Sequence, residues 1–293
     1  MPYVRLLGAQ LAIGAAAIFA RFALAGGGPL AVSALRLGIA ALVVLAFAGT
    51  LRRLSARREL AFGIAGLALA VHFATWIASL LYTSVAISTL LVTTTPLWTE
   101  LYELLRAHRP PQRAFLAALA CAFAGVALIV LQRAATPAPV PGSALLGDAL
   151  ALAGSLAIGA YLIIVRDAGA RHADALATRQ IVARTYSWAA LLLCAAAVGA
   201  RQPAPPFGDV AAWLGILAMA LVSQLVGHTA LNASLRDFSP STIALTTLLE
   251  PVIAGLLAAA LFRESLTPQA IAGGALVLGA IAITLRRTAS ARP

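Results

Sequence analysis

The chain has 293 residues, of which 61% are hydrophobic and 11% charged, and its mean hydropathy is +0.94. A soluble domain carries about 25% charged residues to present a wet surface, so a soluble fold is excluded and most of the surface must face lipid. The net charge of +11 comes from arginine alone, in short clusters between apolar runs, which orients a membrane protein and builds no basic face for nucleic acid.

A helix rising about 1.5 Å per residue needs roughly 20 residues to cross hydrocarbon. The first apolar run, near 5–25, is long enough. Arg21 interrupts it and argues for an uncleaved first span rather than a signal peptide, despite the cleavage-like Ala23-Leu24-Ala25. The breaker "GGG" (26–28) precedes a second run near 29–49, and runs near 60–82, 84–105 and 113–131 come next. The linker "TPAPVPGS" (136–143) separates these five from runs near 144–166, 177–200, 209–233, 239–261 and 269–286, with "RQPAPPFG" (201–208) between the seventh and eighth. The expected fold is an all-α integral membrane protein with ten transmembrane helices. Cys121 and Cys194 fall inside apolar runs and read as small buried hydrophobes, with no disulfide or metal-site spacing.

Arginine placement gives the orientation. Arg133, Arg201 and Arg263 fall in one set of loops, Arg21, Arg36 and Arg184 within spans, and the other fifteen in the alternate loops and ends. The positive-inside rule then puts both termini in the cytoplasm.

The chain also repeats itself. "ASLLYTSVA" from Ala78 answers "ASLRDFSPS" from Ala233, and the same offset of 155 carries Pro96 onto Pro251. "PPQ" (110–112) answers "TPQ" (267–269) at an offset of 157. Each unit holds five helices, 1–137 and 138–293, and an odd number of crossings turns the second copy upside down. Arg36 and Arg184 each lie about seven residues into the second span of their unit, entering from opposite sides, as inversion requires.

The two five-helix units, the "ALR" of Ala34-Leu35-Arg36, "LLYTSVAISTLL" (80–91), "LEPVIAGLLAAALFRESLTPQ" (249–269) and "GGALVLGAIAI" (273–283) resemble the EamA-type transporters of the drug/metabolite transporter superfamily. The resemblance covers nearly the whole chain and is strongest in the second half. It departs where "RAHRPPQ" (106–112) replaces an expected acidic residue after the fourth helix, and where Thr95 rather than a glutamate precedes Pro96. The resemblance implies a ten-helix exporter or exchanger of small metabolites with a central cavity, in a bacterial inner membrane, without naming the metabolite.

Candidate site residues emerge from polarity inside apolar spans. Glu250 stands in the ninth span, whose nine Leu, Ile or Val residues give roughly −3 to −5 kcal/mol on the insertion scale. A central charge costs about +2.5 to +3.5 kcal/mol, so Glu250 should face protein or water, where it meets a substrate amine, accepts a proton, or bonds to Thr246 or Thr247. His72, Thr75, Trp76 and Ser79 share one face of the third span, and Gln224, His228 and Asn232 one face of the eighth. Such sparse polar stripes in apolar walls suit either a cavity lining or interhelical hydrogen bonds. Trp98 and Tyr161 lie deep enough to stack on a substrate, whereas Tyr82 and Trp213 fit interfacial anchors. Arg36 and Arg184 read as a substrate carboxylate contact or as charge pairs. Glu100 and Glu103 read as interfacial, near Arg106.

No metal set is expected, since His72 and His228 lack a third ligand, and no cofactor motif is present. The expected function is a carrier that moves a small polar metabolite by alternating access around a midplane cavity, exporting amino acids or related compounds, with protons a candidate coupling ion. The partners are then substrate and lipid; the sequence does not give the oligomeric state. The alternatives are an exchanger of drugs, nucleotide sugars or lipid-linked metabolites on the same fold, or an intramembrane transferase. The latter lacks H-E-x-x-H, G-x-S-x-G or a phosphate-cradling loop.

Overall fold

The computed structural model describes residues 2–83, 85–107, 113–133, 144–170, 175–262 and 268–290, and no strand occurs among them. The expected linker at 136–143, the arginines at 109, 171, 263 and 292, Ser84, and the prolines at 110, 111 and 267 lie outside the described residues.

The helices are α1 (Pro2–Gly14), α2 (Ala16–Leu24), α3 (Pro29–Ala48), α4 (Ala56–Ser79), α5 (Val85–Val92), α6 (Thr95–Ala107) and α7 (Arg113–Arg133). After them come α8 (Ala144–Val165), α9 (Thr178–Gly199), α10 (Val210–Ala218), α11 (Thr229–Ser234), α12 (Pro240–Thr246), α13 (Glu250–Phe262) and α14 (Pro268–Ser290). Local chemistry sets several boundaries. Pro29 and Pro240 begin α3 and α12 at a position that needs no backbone donor. The Ser55 hydroxyl, the Asp209 carboxylate and the Ser239 hydroxyl accept amides of the first turns of α4, α10 and α12. Gly49, at φ +66°, ends α3 in a backbone conformation that favours glycine.

Among the described residues, six helical stretches are long and apolar enough to cross a membrane: Pro2–Leu24, Pro29–Ala48, Ala56–Ser79, Ala144–Gly169, Thr178–Gly199 and Val210–Ser234. The fifth, ninth and tenth expected spans contain shorter apolar helical stretches among the described residues, Arg113–Gly125, Pro240–Ala254 and Ile271–Ile283. The fourth is two helices, α5 and α6. Pro96 explains the interruption: it has no N–H for the Val92 carbonyl, and the Thr95 hydroxyl donates to that carbonyl instead, at 2.9 Å. Pro251 does the same to the ninth run. There the Glu250 amide turns to the Thr247 carbonyl and closes a 3₁₀ turn, Thr247–Leu249, between α12 and α13.

The helices pair in a regular way. α3 lies along α9, α4 along both α8 and α9, and α7 along α14, while α2 packs on α10 and α6 on α12. α1 packs on α11 and on a π-helical stretch, Met219–His228, that joins α10 to α11. Glycines allow the close approaches, as expected where lipid supplies no hydrophobic drive. A Cβ on Gly215 would stand 2.7 Å from the Phe19 carbonyl oxygen and 3.0 Å from the Ala23 nitrogen. Both are backbone atoms that cannot turn aside, so Gly215→Val should destabilise the protein by about 1–3 kcal/mol. Its thermal unfolding in detergent measures this.

Arginines stitch one end of the bundle. Arg5 pairs with Asp237, Arg106 with Asp167, and Arg166 with Glu103 at 3.4 Å. Arg58 donates to the Ala168 carbonyl at 3.0 Å and Arg236 to that of Leu176. Partly exposed pairs contribute about 0–1 kcal/mol each, so they fix helix register more than stability. At the other end the linkers 26–28 and 201–208 are non-helical, as expected, and meet: the Gly28 amide donates to the Pro203 carbonyl at 3.0 Å, and the Leu30 amide to the Gln202 side chain at 2.7 Å. The cysteines differ from expectation, since Cys194 is exposed and Cys121 half-buried. Cys194 sits on the outer side of α9, where apolarity suits lipid as well as a core, while Cys121 faces the Leu276 carbonyl of α14.

Candidate functional site

Glu250 opens α13 directly after the 3₁₀ turn, where the free amides of a helix start favour a carboxylate. Thr246 and Thr247 do not hold it. Their hydroxyls donate to the carbonyls of Ile243 and Ala244, each at 2.7 Å, and Thr246 also accepts from Gln10 at 2.8 Å. Glu250 is half-buried and borders an internal cavity of about 40 Å³. A cavity of that size admits about three waters.

The cavity draws its walls from both halves of the chain. Arg36, His72, Trp76, His228 and Glu250 supply charged, polar and aromatic groups; Phe73, Ile158, Leu162 and Leu231 supply apolar surface; Thr93, Thr95 and Thr247 bring hydroxyls at the two helix interruptions. Glycines bring these helices together. Gly154 lets α8 lie against α4 closely enough for His72 Nδ1 to donate to the Gly154 carbonyl at 2.9 Å. Gly14 packs against Ile253, one turn beyond Glu250. Gly227 packs against Ile13 and sets His228 beside α1.

Arg36 is fully buried. Its Nε donates to Gln224 Oε1 at 3.1 Å, and its guanidinium carbon lies 3.9 Å from the centre of the Phe73 ring. Among the described residues, Nη1 and Nη2 find no hydrogen-bond partner, nor do Trp76 Nε1, His228 Nδ1 or Gln224 Nε2. Buried polar groups are nearly always bonded, so the nitrogens of Arg36, Trp76 and His228, which border the cavity, call for a polar occupant. Arg36 and Glu250 interact electrostatically without forming an ion pair within 4 Å. The space between them is therefore bounded by a guanidinium, a carboxyl group and an aromatic wall in which His72 stacks on Trp76 at 6.2 Å. Such a space can hold a small group carrying both charges.

The remaining sequence-derived residues stand behind the wall or away from it. Ser79 bonds to Ser88 and to the Trp76 carbonyl, each at 2.6 Å. Trp98 donates to Ser155 at 3.2 Å, and Tyr161 donates to Asn232 Oδ1 at 2.9 Å. Gln224 holds Arg36 rather than lining the cavity. Gln224, His228 and Asn232 would share one face of an α-helix, but the π winding over Met219–His228 offsets Gln224, which bonds to Arg36, while His228 borders the cavity and Asn232 bonds to Tyr161. Arg184 forms charge pairs: Nε reaches both oxygens of Glu59, at 3.1 and 3.2 Å, and Nη1 reaches Gln180 Oε1 at 3.1 Å. Phe73 and Thr93 were not singled out from sequence, and Thr95 and Thr247 were named only as neighbours of Pro96 and Glu250. The signal for the threonines was the "TTT" run (93–95) before Pro96 and "TT" (246–247) before Glu250-Pro251. Nothing in the sequence distinguished Phe73 from an ordinary core aromatic.

The model of the EamA-like transporter family matches the chain twice, over residues 2–131 and 145–286. One crystal structure, described only as that of a protein, is similar over 100% of this chain and 99% of its own, with a TM-score of 0.79 at 18% identity. That likeness speaks for the fold. No curated protein matches.

Proposed function

Because the chain belongs to the EamA-like transporter family, a family of multi-pass membrane proteins, we propose that it is a secondary carrier exporting an amino acid or a closely related small metabolite. The observation that carries this reading is Arg36, buried with both terminal nitrogens unbonded, facing the same cavity as Glu250. A carboxylate takes a bidentate pair of donors from arginine, and an ammonium finds its partner in Glu250. His72, Trp76 and His228 complete the contact surface. Trp98, Tyr161, Ser79, Gln224 and Asn232 hold that surface in place through the bonds described above.

The transport cycle in this reading is alternating access between two inverted five-helix units, 1–137 and 138–293. The pairing of helices supports it. Counting α1 with α2, α5 with α6, α10 with α11 and α12 with α13 as single crossings gives ten. The third then packs on the sixth as the eighth packs on the first, the third on the seventh as the eighth on the second, and the second, fourth and fifth on their own counterparts. This exchange of each helix with the one five later is what a twofold relation between the units produces. The two family matches also flank the proposed boundary. The chamber has room for about three waters, fewer heavy atoms than even glycine carries, so loading in this reading requires the units to move apart.

The inner membrane of a bacterium is the proposed location, with both termini in the cytoplasm. Single cysteines at Arg53 and Arg286 should react with an impermeant reagent only after the membrane is opened. Labelling of either in sealed cells reverses the orientation. Substrate identity is tested by loading vesicles containing the protein with a panel of labelled amino acids and measuring efflux. Efflux of one or a few, competed by the same compounds outside, is the expected result. Flux of cationic amines lacking a carboxylate, with no amino acid moved, would falsify the assignment.

A further inference from the structure

Gln224 takes one N–H of Arg36 and leaves the others. Its Oε1 accepts the Arg36 Nε–H at 3.1 Å, and both residues are fully buried. Only the oxygen of the amide can accept that N–H, so the side-chain orientation is fixed, and Nε2 has no partner among the described residues. The backbone at Gln224 is held independently of its side chain. Its carbonyl accepts the Thr229 amide across the π turn and the Tyr186 hydroxyl at 3.4 Å. A neutral acceptor held there occupies one donor of the guanidinium and cancels none of its charge.

The other half of the molecule shows what a carboxylate does in the corresponding place. The exchange of each helix with the one five later, described above, carries α3 and the eighth crossing onto α9 and α4. There Arg184 Nε donates to both oxygens of Glu59, at 3.1 and 3.2 Å. Its Nη1 donates to the Gln180 carbonyl and to Gln180 Oε1, at 3.0 and 3.1 Å, and its Nη2 to the Arg52 carbonyl. That arginine is saturated: its charge is matched and each of its nitrogens is engaged. At Arg36 an amide stands where the carboxylate would be. Nη1 and Nη2 are unbonded, and no ion pair within 4 Å matches the charge, among the described residues.

Resting on the reading of the cavity as an amino-acid site, we propose that Gln224 sets the substrate class of that site. By holding Nε with a neutral oxygen it fixes the guanidinium and leaves the charge and both terminal nitrogens to a substrate carboxylate. With that carboxylate on Arg36 and an ammonium on Glu250, the loaded site is neutral, which suits a zwitterion. A carboxylate at position 224 would close an ion pair with Arg36, as Glu59 does with Arg184, and leave Glu250 alone to face the ligand. The site would then take a cationic amine without a carboxylate.

The test compares the wild type, Gln224→Glu and Gln224→Met in vesicles. The probes are the labelled amino acids of the panel and the amines left by their decarboxylation, such as ethanolamine for serine and phenethylamine for phenylalanine. Flux is counted above that of protein-free vesicles. The wild type should move at least one amino acid and prefer it to its amine by at least about tenfold. Gln224→Glu, nearly isosteric, should lower that flux by about 10–100-fold and move the amine faster than the wild type does. It should melt no lower than the wild type, because a buried guanidinium gains a partner. Gln224→Met loses the acceptor without adding charge. It should keep the preference for the acid and the maximal rate, while the half-saturating concentration rises about 3–10-fold. A packing role alone predicts the reverse order, with the isostere close to wild type and methionine the worse. Undiminished amino-acid flux in Gln224→Glu overturns the proposal. If that variant does not fold, Gln224→Met decides: loss of its preference for the acid, or an unaltered half-saturation, overturns the proposal as well. A wild type that moves no amino acid removes the underlying reading and this inference with it, whereas a wild type that prefers the acid confines any failure to Gln224.

Discussion

Glu250→Gln is expected to cut exchange of labelled substrate across vesicles by about 10–100-fold while the protein still elutes as a folded species. The factor is that of one charge-assisted hydrogen bond, about 1.5–3 kcal/mol. Glutamine keeps the volume and an acceptor but loses the charge that answers an ammonium. Thr246 and Thr247 bond to backbone carbonyls, and among the described residues no ion pair engages the Glu250 carboxylate, which leaves it free for this duty. The pH dependence separates its two possible roles. If Glu250 meets the amine, exchange falls at every pH. If it carries a proton, substrate-for-substrate exchange persists in the glutamine variant, and only efflux driven by a pH gradient is lost. Unaltered flux in both assays removes Glu250 from the mechanism.

Apolarity and length made the membrane class and the long helices legible. The run 29–49 follows "GGG" and the run 177–200 precedes "RQPAPPFG", and α3 and α9 occupy nearly the same residues. The runs around Pro96 and Pro251 were less legible. A sequence window averages hydropathy, whereas a proline acts on one carbonyl four residues earlier, and the local geometry depends on which donor takes that carbonyl over. At Pro96 a threonine hydroxyl does, and the helix divides. At Pro251 the amide of the preceding glutamate turns to Thr247, and the helix tightens into a 3₁₀ turn. The π winding of Met219–His228 was invisible for a similar reason. It satisfies packing of Gly227 against α1, which is a property of the partner helix and not of the local sequence.

The candidate site was legible wherever a polar side chain stood alone in a span. Glu250 was picked out by the cost of burying it, Arg36 by its charge within a span and His72 and His228 by their polar stripes, and all four border one cavity. Cost does not tell which buried groups satisfy one another. Tyr161 and Asn232 are as polar and as deep, yet they bond to each other. Arg184 matches Arg36 in position within its unit, but Glu59 and Gln180 surround it. Among the described residues no carboxylate pairs with Arg36 as Glu59 does with Arg184. One arginine is thus a structural clamp near a helix end, and the other keeps open valences beside the cavity.

Arg36→Met should separate these roles most sharply. Transport should fall to background, because a thioether offers no donor to a carboxylate. Stability should be unchanged or higher. A guanidinium fully removed from water, with one hydrogen bond to Gln224 and one aromatic face, retains most of a desolvation cost of several kcal/mol. Methionine fills similar space without that cost. Arg36→Lys should not restore transport, since a single ammonium cannot present two parallel donors. Comparing an amino acid with its amide assigns the interaction: the wild type should prefer the acid by at least about tenfold, and Arg36→Met should show no preference. Collapse of the Met variant in thermal unfolding, or equal handling of acid and amide by the wild type, would make Arg36 a packing residue. The Glu250→Gln/Arg36→Met double variant closes the cycle. If the two charges act on one substrate, the second substitution should add little to the loss of transport caused by the first, because either alone already removes one end of the clamp.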